Sequence, residues 1–218
     1  MSRRTRIVVG ISGASGAVYA RRTVQMLVSL GVETHLVVSP LGQRLLHDEL
    51  GLEHADPAAL AGPGADGSLI HRHNYRDVGA AIASGSFMHQ GMVIVPCSSN
   101  TLASVALGIQ QNLLHRAAAV TLKERRRLVL VHREMPLSLA DIRNMEQATL
   151  AGAVVCPASP GYYLLPQRVE DLVDFVVGRV LDLLGVEHDL HTRWEAMLKP
   201  PAVAAEPSAS MPAESAPD

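Results

Sequence analysis

Two turns rich in small hydroxyl residues follow apolar runs of this chain and could bind an anion. The first turn follows residues 7–11 and contains Ser12, Gly13, Ser15 and Gly16. The second follows residues 92–97 and reads Ser98-Ser-Asn-Thr101. Each leads into a helical pattern, and a helix N-terminus attracts phosphate through its free N–H groups and its dipole. At the carboxyl edge of a parallel sheet, the two turns could hold one phosphate ester from two sides.

The glycine spacing narrows the choice of ligand. It is G-x-x-G-x-x-G over residues 10–16, without a Lys-Ser/Thr pair after the last glycine and without G-x-G-x-x-G. This argues against a Walker A loop and against an ordinary dinucleotide-binding turn, and leaves a mononucleotide such as FMN open. The alternative also stays open that the glycines serve only a tight turn and that Ser98 only caps a helix.

Basic and acidic side chains near the ends of several predicted elements could take part in phosphate chemistry. A set of cations there could hold a dianionic phosphate: Arg116, Lys123, Arg133 and Arg179. Glu134 would supply a carboxylate for proton transfer, and Tyr163 lies in a Pro/Gly loop of a chain with 3% aromatic residues. For each cation alone, a solvated helix face is the commoner explanation.

Three histidines invite a metal interpretation. His71 and His73 alternate on a short predicted edge strand, and His89 follows in the chain. Because no cysteine or carboxylate pairing is evident near them, a polar strand face is favoured, and we expect no metal site.

The elements that must position these residues alternate between strand and helix. Predicted strands cover residues 7–11, 32–39, 68–73, 92–97, 127–132 and 153–156. Predicted helices cover residues 17–30, 41–50, 102–107, 112–124, 138–150 and 169–184, and the Gly/Pro-rich residues 51–67 predict a surface loop. The order predicts an α/β fold, a single Rossmann-like, flavodoxin-like, doubly wound parallel sheet with helices on both faces.

The amino-acid composition indicates a globular protein and argues against several other classes. The 218 residues, 48% of them hydrophobic, predict one globular domain over residues 1–198, and the Pro/Ala/Ser-rich residues 199–218 predict a disordered tail. A net charge of −2 gives no nucleic-acid footprint. Two cysteines and the lack of a long apolar run predict a cytoplasmic protein without a disulfide framework, signal peptide or membrane span.

Eight short segments, in order, make the chain similar to UbiX-type flavin prenyltransferases, within the homo-oligomeric flavin-containing cysteine decarboxylase-like superfamily. They are GISGASG (10–16), ASGS (83–86), VPCS (95–98), NLLHRA (112–117), LKERRRLVL (122–130), RE (133–134), PGYY (160–163) and VEDL (169–172).

The resemblance implies transfer of a dimethylallyl group from dimethylallyl monophosphate to N5 and C6 of reduced FMN. The product, prenylated FMN, is the cofactor of a UbiD-type decarboxylase. It also implies trimer-based homo-oligomers, often dodecamers, with the active site at a subunit interface. No Asp-rich magnesium motif is evident, so we expect metal-independent chemistry.

The resemblance also assigns residues. Those that would hold FMN are Gly13, Ala14, Ser15, Ser39, Ser98, Ser99, Asn100, Thr101 and Arg133. Those that would grip the donor phosphate are Arg116, Lys123, Tyr163 and Arg179. The expected catalytic residues are Ser15, Glu49 and Glu134. The chain departs from the pattern at Pro40, where a lysine is common, and at Val78, where some relatives carry tryptophan.

Two rival functions share these features. An FMN-dependent cysteine-type decarboxylase of the same fold would need a catalytic histidine, and His115 lies near Asn112, but the LKERRR and RE segments favour the transferase. A non-catalytic flavin carrier would be supported by loss of Glu49, Glu134 or Lys123, and all three are present.

Overall fold

The computed structural model describes residues 4–190 and Thr192, so the predicted tail at 199–218 lies outside the described residues. The strands are β1 (Arg6–Ile11), β2 (Glu33–Val38), β3 (Ile70–His73), β4 (Gly91–Cys97), β5 (Arg127–His132) and β6 (Val154–Val155). The helices are α1 (Ala17–Ser29), α2 (Pro40–Leu50), α3 (Pro57–Ala61), α4 (Ser99–Ala106), α5 (Leu113–Lys123), α6 (Leu139–Leu150) and α7 (Val169–Leu184). In the described part of the chain, no helix combines the length and apolar character needed to cross a membrane.

The six strands form one parallel sheet in the order β3-β2-β1-β4-β5-β6, which confirms the predicted doubly wound fold. The chain builds the sheet outward from β1 in one direction and then returns to start β4 on its other side. The strand order therefore reverses between β1 and β4. In open α/β sheets a ligand cleft forms beyond the carboxyl ends of the strands at this point.

The core lies on both faces of the sheet because the strand side chains alternate. Ile7, Val9 and Ile11 of β1 belong to the apolar layer that contains α1 and α7. Val8 and Ile94 belong to the opposite layer, which contains α4 and α5. Strands covered on both faces read as continuous apolar runs, which is the pattern seen at residues 7–11 and 92–95.

The main difference from the predicted elements lies in residues 51–67, where a surface loop was expected. Residues 57–61 form α3, and Leu60 is fully buried in the layer that contains α1. The Asp56 side chain accepts a hydrogen bond from the Ala59 N–H, and Pro57 occupies the first helical turn. This short helix forms from its cap and its packing, because its Gly/Pro-rich surroundings carry no helical period.

Buried histidines give this fold a pH-dependent stability. Burial lowers the pKa of His35 from 6.5 to about 4, although its hydrogen bond with Glu33 opposes the shift. The unfolded chain binds a proton below pH 6.5 that the folded chain resists, so stability is full above that pH and falls as the pH drops towards 4. We expect this group to contribute up to about 3 kcal/mol across that window.

Urea denaturation between pH 7 and 4 checks this expectation. The slope of unfolding free energy against pH should flatten in His35→Gln relative to the wild type, whereas His54→Gln, at an exposed position, should keep it. An unchanged slope in His35→Gln would contradict the assignment. Part of the slope should persist, because burial also lowers the pKa of His73, His89 and His115.

Candidate active site

The two Ser/Gly turns lie side by side, joined by a buried serine. The Ser12 hydroxyl donates a hydrogen bond to the Pro96 carbonyl at 2.9 Å and accepts one from the Ser98 N–H at 2.8 Å. Ser12 is 1% exposed, so neither bond is replaced by water. The structure thus brings the ends of β1 and β4 together, as the sheet topology predicts.

Removing this link should loosen both turns. In Ser12→Ala the Pro96 carbonyl still accepts from the Ser12 N–H, whereas the half-buried Ser98 N–H loses its side-chain acceptor, which costs about 1–3 kcal/mol of unfolding free energy. We expect the urea midpoint to fall and FMN affinity to weaken. The matched control is Ser29→Ala, since the exposed Ser29 makes one hydrogen bond, to the Met26 carbonyl. Equal midpoints for the two variants would contradict this role of Ser12.

Two capped helix N-termini border the space beyond the strand ends. The Ser39 hydroxyl accepts a hydrogen bond from the Gly42 N–H at the start of α2, where Pro40 fits because the first turn needs no N–H donor. The Ser98 hydroxyl accepts one from the Thr101 N–H at the start of α4. Both ends direct positive potential towards the same region.

The N-terminus of α1 is different, because a carboxylate of the chain already binds there. Glu49 accepts hydrogen bonds from the Gly16 N–H at 3.0 Å and the Ala17 N–H at 2.7 Å. Within the chain, the Gly16 and Ala17 N–H groups of this helix end are therefore occupied by the Glu49 carboxylate. Glu49 lies 33 residues from Gly16 in sequence, so spacing gave no sign of this contact.

A cleft of about 490 Å³ lies at the switch point, a volume typical of small-molecule sites. It is lined by Gly13, Ser39, Pro40, Leu41, Tyr75, Ser98, Ser99, Asn100, Thr101, Leu114, His115 and Glu134. Six of these match the predicted FMN residues: Gly13, Ser39, Ser98, Ser99, Asn100 and Thr101. Of the others, Ala14 is buried beside Gly13, and Arg133 Nε donates to the Ser15 carbonyl at 3.1 Å.

A second cleft, of about 590 Å³, lies next to α1 and α7 and suits an anion poorly. Its walls carry Asp171, Asp174 and Asp189. The guanidinium of Arg22, which also lines it, forms two hydrogen bonds with the Asp174 carboxylate. Excess negative charge disfavours a phosphate there, so the smaller cleft between the Ser/Gly turns is the candidate active site.

Glu134 reaches the cleft as part of a polar chain that sequence reasoning missed. The Ser99 hydroxyl lies 3.5 Å from Glu134 Oε2 and 3.2 Å from His132 Nε2. Burial lowers the pKa of His132, although the charges of Asp141 and Glu134 oppose the shift. Hydrogen bonds from Ser138 and Ser99 lower the pKa of Asp141 to about 2. The available signal was the position of His132, directly before the Arg133-Glu134 pair.

The four predicted phosphate-gripping residues do not meet within this chain. Arg116 and Lys123 lie on α5, whereas Arg179 lies on α7 across the sheet. The Tyr163 ring packs edge-on against Phe175 of α7 at 5.5 Å between ring centroids. The Lys123 ammonium lies 3.5 Å from Glu124 and is largely exposed. A single chain therefore supplies two separate halves of this set.

The two departures from the family pattern differ in their placement. Pro40 lines the cleft at the first turn of α2. Val78 is about half exposed on the turn after β3 and is absent from the described lining of the cleft. Pro40 therefore contacts the site directly, whereas Val78 can affect it only from outside this cleft.

The chain as a whole is similar to flavin-binding proteins. The sequence pattern of the Flavoprotein family matches residues 1–181. The flavin prenyltransferase UbiX of Thermoplasma acidophilum is 48% identical over 191 residues, which cover 87% of this chain and 99% of the relative. AnUbiX (PadA1), solved with FMN and dimethylallyl pyrophosphate, has a TM-score of 0.78 at 44% identity, covering 85% of this chain and 94% of that one. A dodecameric FMN-dependent UbiX-like decarboxylase from Escherichia coli has a TM-score of 0.80 at 41% identity, covering 87% and 99%.

Proposed function

The chain belongs to the UbiX flavin prenyltransferases of the Flavoprotein family, and from this premise we propose the details of its reaction. It is a prenyltransferase that acts on FMN and makes prenylated FMN. We propose that the donor is dimethylallyl monophosphate, that the five-carbon group joins N5 and C6 of reduced FMN, and that a UbiD-type decarboxylase receives the product. The observation that carries this proposal is the cleft between the two Ser/Gly turns, with Glu134 on its wall.

FMN binding is assigned to the residues around that cleft. Hydroxyls and first-turn N–H groups at the starts of α2 and α4 suit a phosphate ester, because both helix ends carry positive potential. Gly13 lines the cleft and has no side chain, so a flat ring could lie close to the backbone there. Arg133, held on the Ser15 carbonyl, adds a cation beside the turn.

The chemistry requires a leaving phosphate, a shielded allyl cation and proton transfer. Breaking the allylic C–O bond produces negative charge on phosphate, which cationic side chains stabilise, while the electron-rich flavin ring shields the cation. Glu134 accepts or delivers the protons exchanged at flavin and phosphate. Ser99 and His132 extend this path away from the cleft through contacts of 3.5 and 3.2 Å. Ser15 and Glu49 are assigned, with Glu134, to positions around the reacting carbons.

Assembly is part of the proposal, because the donor phosphate needs both halves of the cation set. We assign Arg116 and Lys123 to one subunit of each active site and Tyr163 and Arg179 to a neighbour, in a trimer-based homo-oligomer that could be a dodecamer. Exposed apolar side chains around α6 support such an interface: Met135, Leu137, Leu139, Ile142 and Leu150. A cytoplasmic location, part of the same proposal, is supported by the free thiols of Cys97 and Cys156.

The test combines the purified protein with reduced FMN and a donor without oxygen, followed by mass spectrometry of the released flavin. Parallel reactions contain dimethylallyl monophosphate, dimethylallyl diphosphate or no donor. A gain of one C5H8 unit with the monophosphate, in amounts exceeding the enzyme, is the expected result. Unchanged flavin with every donor, despite bound FMN, would refute prenyl transfer. Product from the diphosphate alone would refute the proposed donor and leave the reaction standing.

The turnover measurement also separates the two rival functions. A non-catalytic flavin carrier would bind FMN and release it unmodified. A cysteine-type decarboxylase would use His115, which is buried on the cleft wall with its Nδ1 3.0 Å from the Asn112 amide nitrogen. The amide N–H₂ can only donate, so Nδ1 accepts and Nε2 carries the proton. This arrangement orients the ring, and the sequence identities favour the transferase.

A further inference from the structure

Away from the cleft, three imidazoles and one carboxylate share one face of the sheet near its β3 edge. Glu33 and His35 lie two residues apart on β2, and His71 and His73 lie two apart on β3. The parallel register pairs His35 with His71, and their rings stack with centroids 4.9 Å apart. The sequence expectation that no carboxylate lies near these histidines is therefore wrong, because strand pairing, not sequence spacing, brings Glu33 to them.

Three of these side chains have the separation of metal ligands. Glu33 Oε1 lies 2.9 Å from His35 Nε2 and 3.8 Å from His71 Nε2. One ligand atom from each residue lies within 4.8 Å of the other two. A tetrahedral zinc ion with bonds of about 2.0–2.1 Å needs ligand atoms roughly 3.4 Å apart. The His71 side chain is 48% exposed, so its ring can rotate the short distance required.

The fourth side chain, His73, orients the ring of His35 through a hydrogen bond. His73 Nε2 lies 3.0 Å from His35 Nδ1. The Glu33 carboxylate accepts from His35 Nε2, so without metal the proton is on Nε2 and Nδ1 accepts from His73. When Nε2 binds a metal, a neutral His35 carries its proton on Nδ1 and donates it to His73. Histidine ligands in metal sites ordinarily donate their second N–H to such a partner.

One neighbouring charge narrows the choice of metal. Arg6 Nε lies 3.0 Å from the same Glu33 oxygen and makes no hydrogen bond of good geometry. Its guanidinium also lies over the Phe87 ring, 5.3 Å from the centroid. The positive charge of Arg6 weakens the binding of Mg²⁺ or Ca²⁺, because these ions are held mainly by electrostatic attraction to oxygen ligands. Imidazole nitrogen instead suits zinc and its neighbours in the transition series.

We propose that Glu33, His35 and His71 bind one Zn²⁺-class ion, with His73 orienting His35 as its hydrogen-bond partner. Glu33 begins β2, at the end of the strand opposite the cleft, so the ion joins edge strand β3 to the sheet and takes no part in prenyl transfer. This proposal is independent of the assigned reaction.

The test uses untagged full-length protein freed of metal by chelator and dialysis. Co²⁺ absorbance in the visible range gives the stoichiometry and the coordination, and competition with Zn²⁺ gives the affinity. We expect one ion per chain in the wild type. His71→Ala and Glu33→Gln should weaken binding at least about 100-fold, and His73→Ala about 10–100-fold. His54→Ala, which removes an exposed histidine elsewhere, should leave it unchanged.

Thermal unfolding supplies an independent readout. Zn²⁺ should raise the midpoint temperature of the wild type and of His54→Ala, and should leave that of His71→Ala unchanged, because a ligand that binds only the folded state stabilises it. FMN binding by His71→Ala shows that this variant is folded. Absence of saturable Co²⁺ or Zn²⁺ binding in the wild type, or equal affinity in His71→Ala, would overturn the proposal.

Discussion

Glu134→Gln should lower the rate of prenyl transfer by about 10²–10⁴-fold and leave FMN bound. The amide keeps the size of the side chain and one oxygen that can accept from the Met135 N–H, whereas its NH₂ group can only donate to the Ser99 hydroxyl, and the amide cannot take up or release a proton. Loss of a general acid–base group lowers turnover by about 10²–10⁴-fold. Single-turnover assays with reduced FMN and dimethylallyl monophosphate, read by mass spectrometry of the flavin, measure this loss directly.

The control for this variant is Glu53→Gln, an exposed carboxylate after α2 and away from the cleft lining, which should retain full activity. A second variant, His132→Asn, removes the imidazole that contacts the Ser99 hydroxyl and leaves Glu134 in place. Its pH profile should shift while FMN affinity stays the same. If Glu134→Gln turned over as fast as the wild type, the Glu134 carboxylate would have no part in proton transfer. If this variant lost FMN binding, the role of Glu134 would be structural.

Gly13→Ala should distort the wall of the cleft at the first turn. A Cβ at this position would lie 2.5 Å from Leu41 Cβ, which is fixed to the α2 backbone and cannot rotate away. Either the turn or the start of α2 must move, and both line the cleft. We expect loss of FMN binding and a destabilisation of about 1–3 kcal/mol. Flavin fluorescence titration and urea denaturation measure the two effects.

Gly79→Ala is the matched control, because its Cβ would meet only the Asp77 carboxylate oxygen, at 3.5 Å. That variant should bind FMN as the wild type does. If Gly13→Ala kept wild-type affinity and stability, α2 would have to be free to shift away from the turn, which would contradict the fixed geometry of this wall.

The sheet could be predicted from the sequence because its signal is local. Strands buried on both faces are rich in consecutive β-branched residues, as at residues 93–95, and alternation with helices leaves few topologies. Helix α3 could not be predicted in the same way. Its five residues carry no period, and Leu60 is buried only because α1 packs over it.

The candidate site was predicted only where its residues follow strands directly. Ser12 and Ser98 end neighbouring strands, so topology alone brings them together. Glu49 capping α1 and Glu33 beside His71 depend on how separate elements pack, which spacing along the chain does not encode. The cations of α5 and α7 lie on opposite faces of one chain, and their assembly with a neighbouring subunit stays a prediction.

The length of helix α2 sets the distance between the cleft and the Glu49 carboxylate. The helix starts at the cleft, where Ser39 caps it, and its far end carries Glu49 to the N-terminus of α1. Gly42 fixes it further, since a Cβ there would lie 2.6 Å from the Ile11 carbonyl oxygen. The eleven residues of α2, at a rise of 1.5 Å each, make the helix about 16 Å long from its start at the cleft to its C-terminal end. Inserting or deleting one residue in α2 would rotate Glu49 by about 100° about the helix axis, so its carboxylate would no longer face the Gly16 and Ala17 N–H groups.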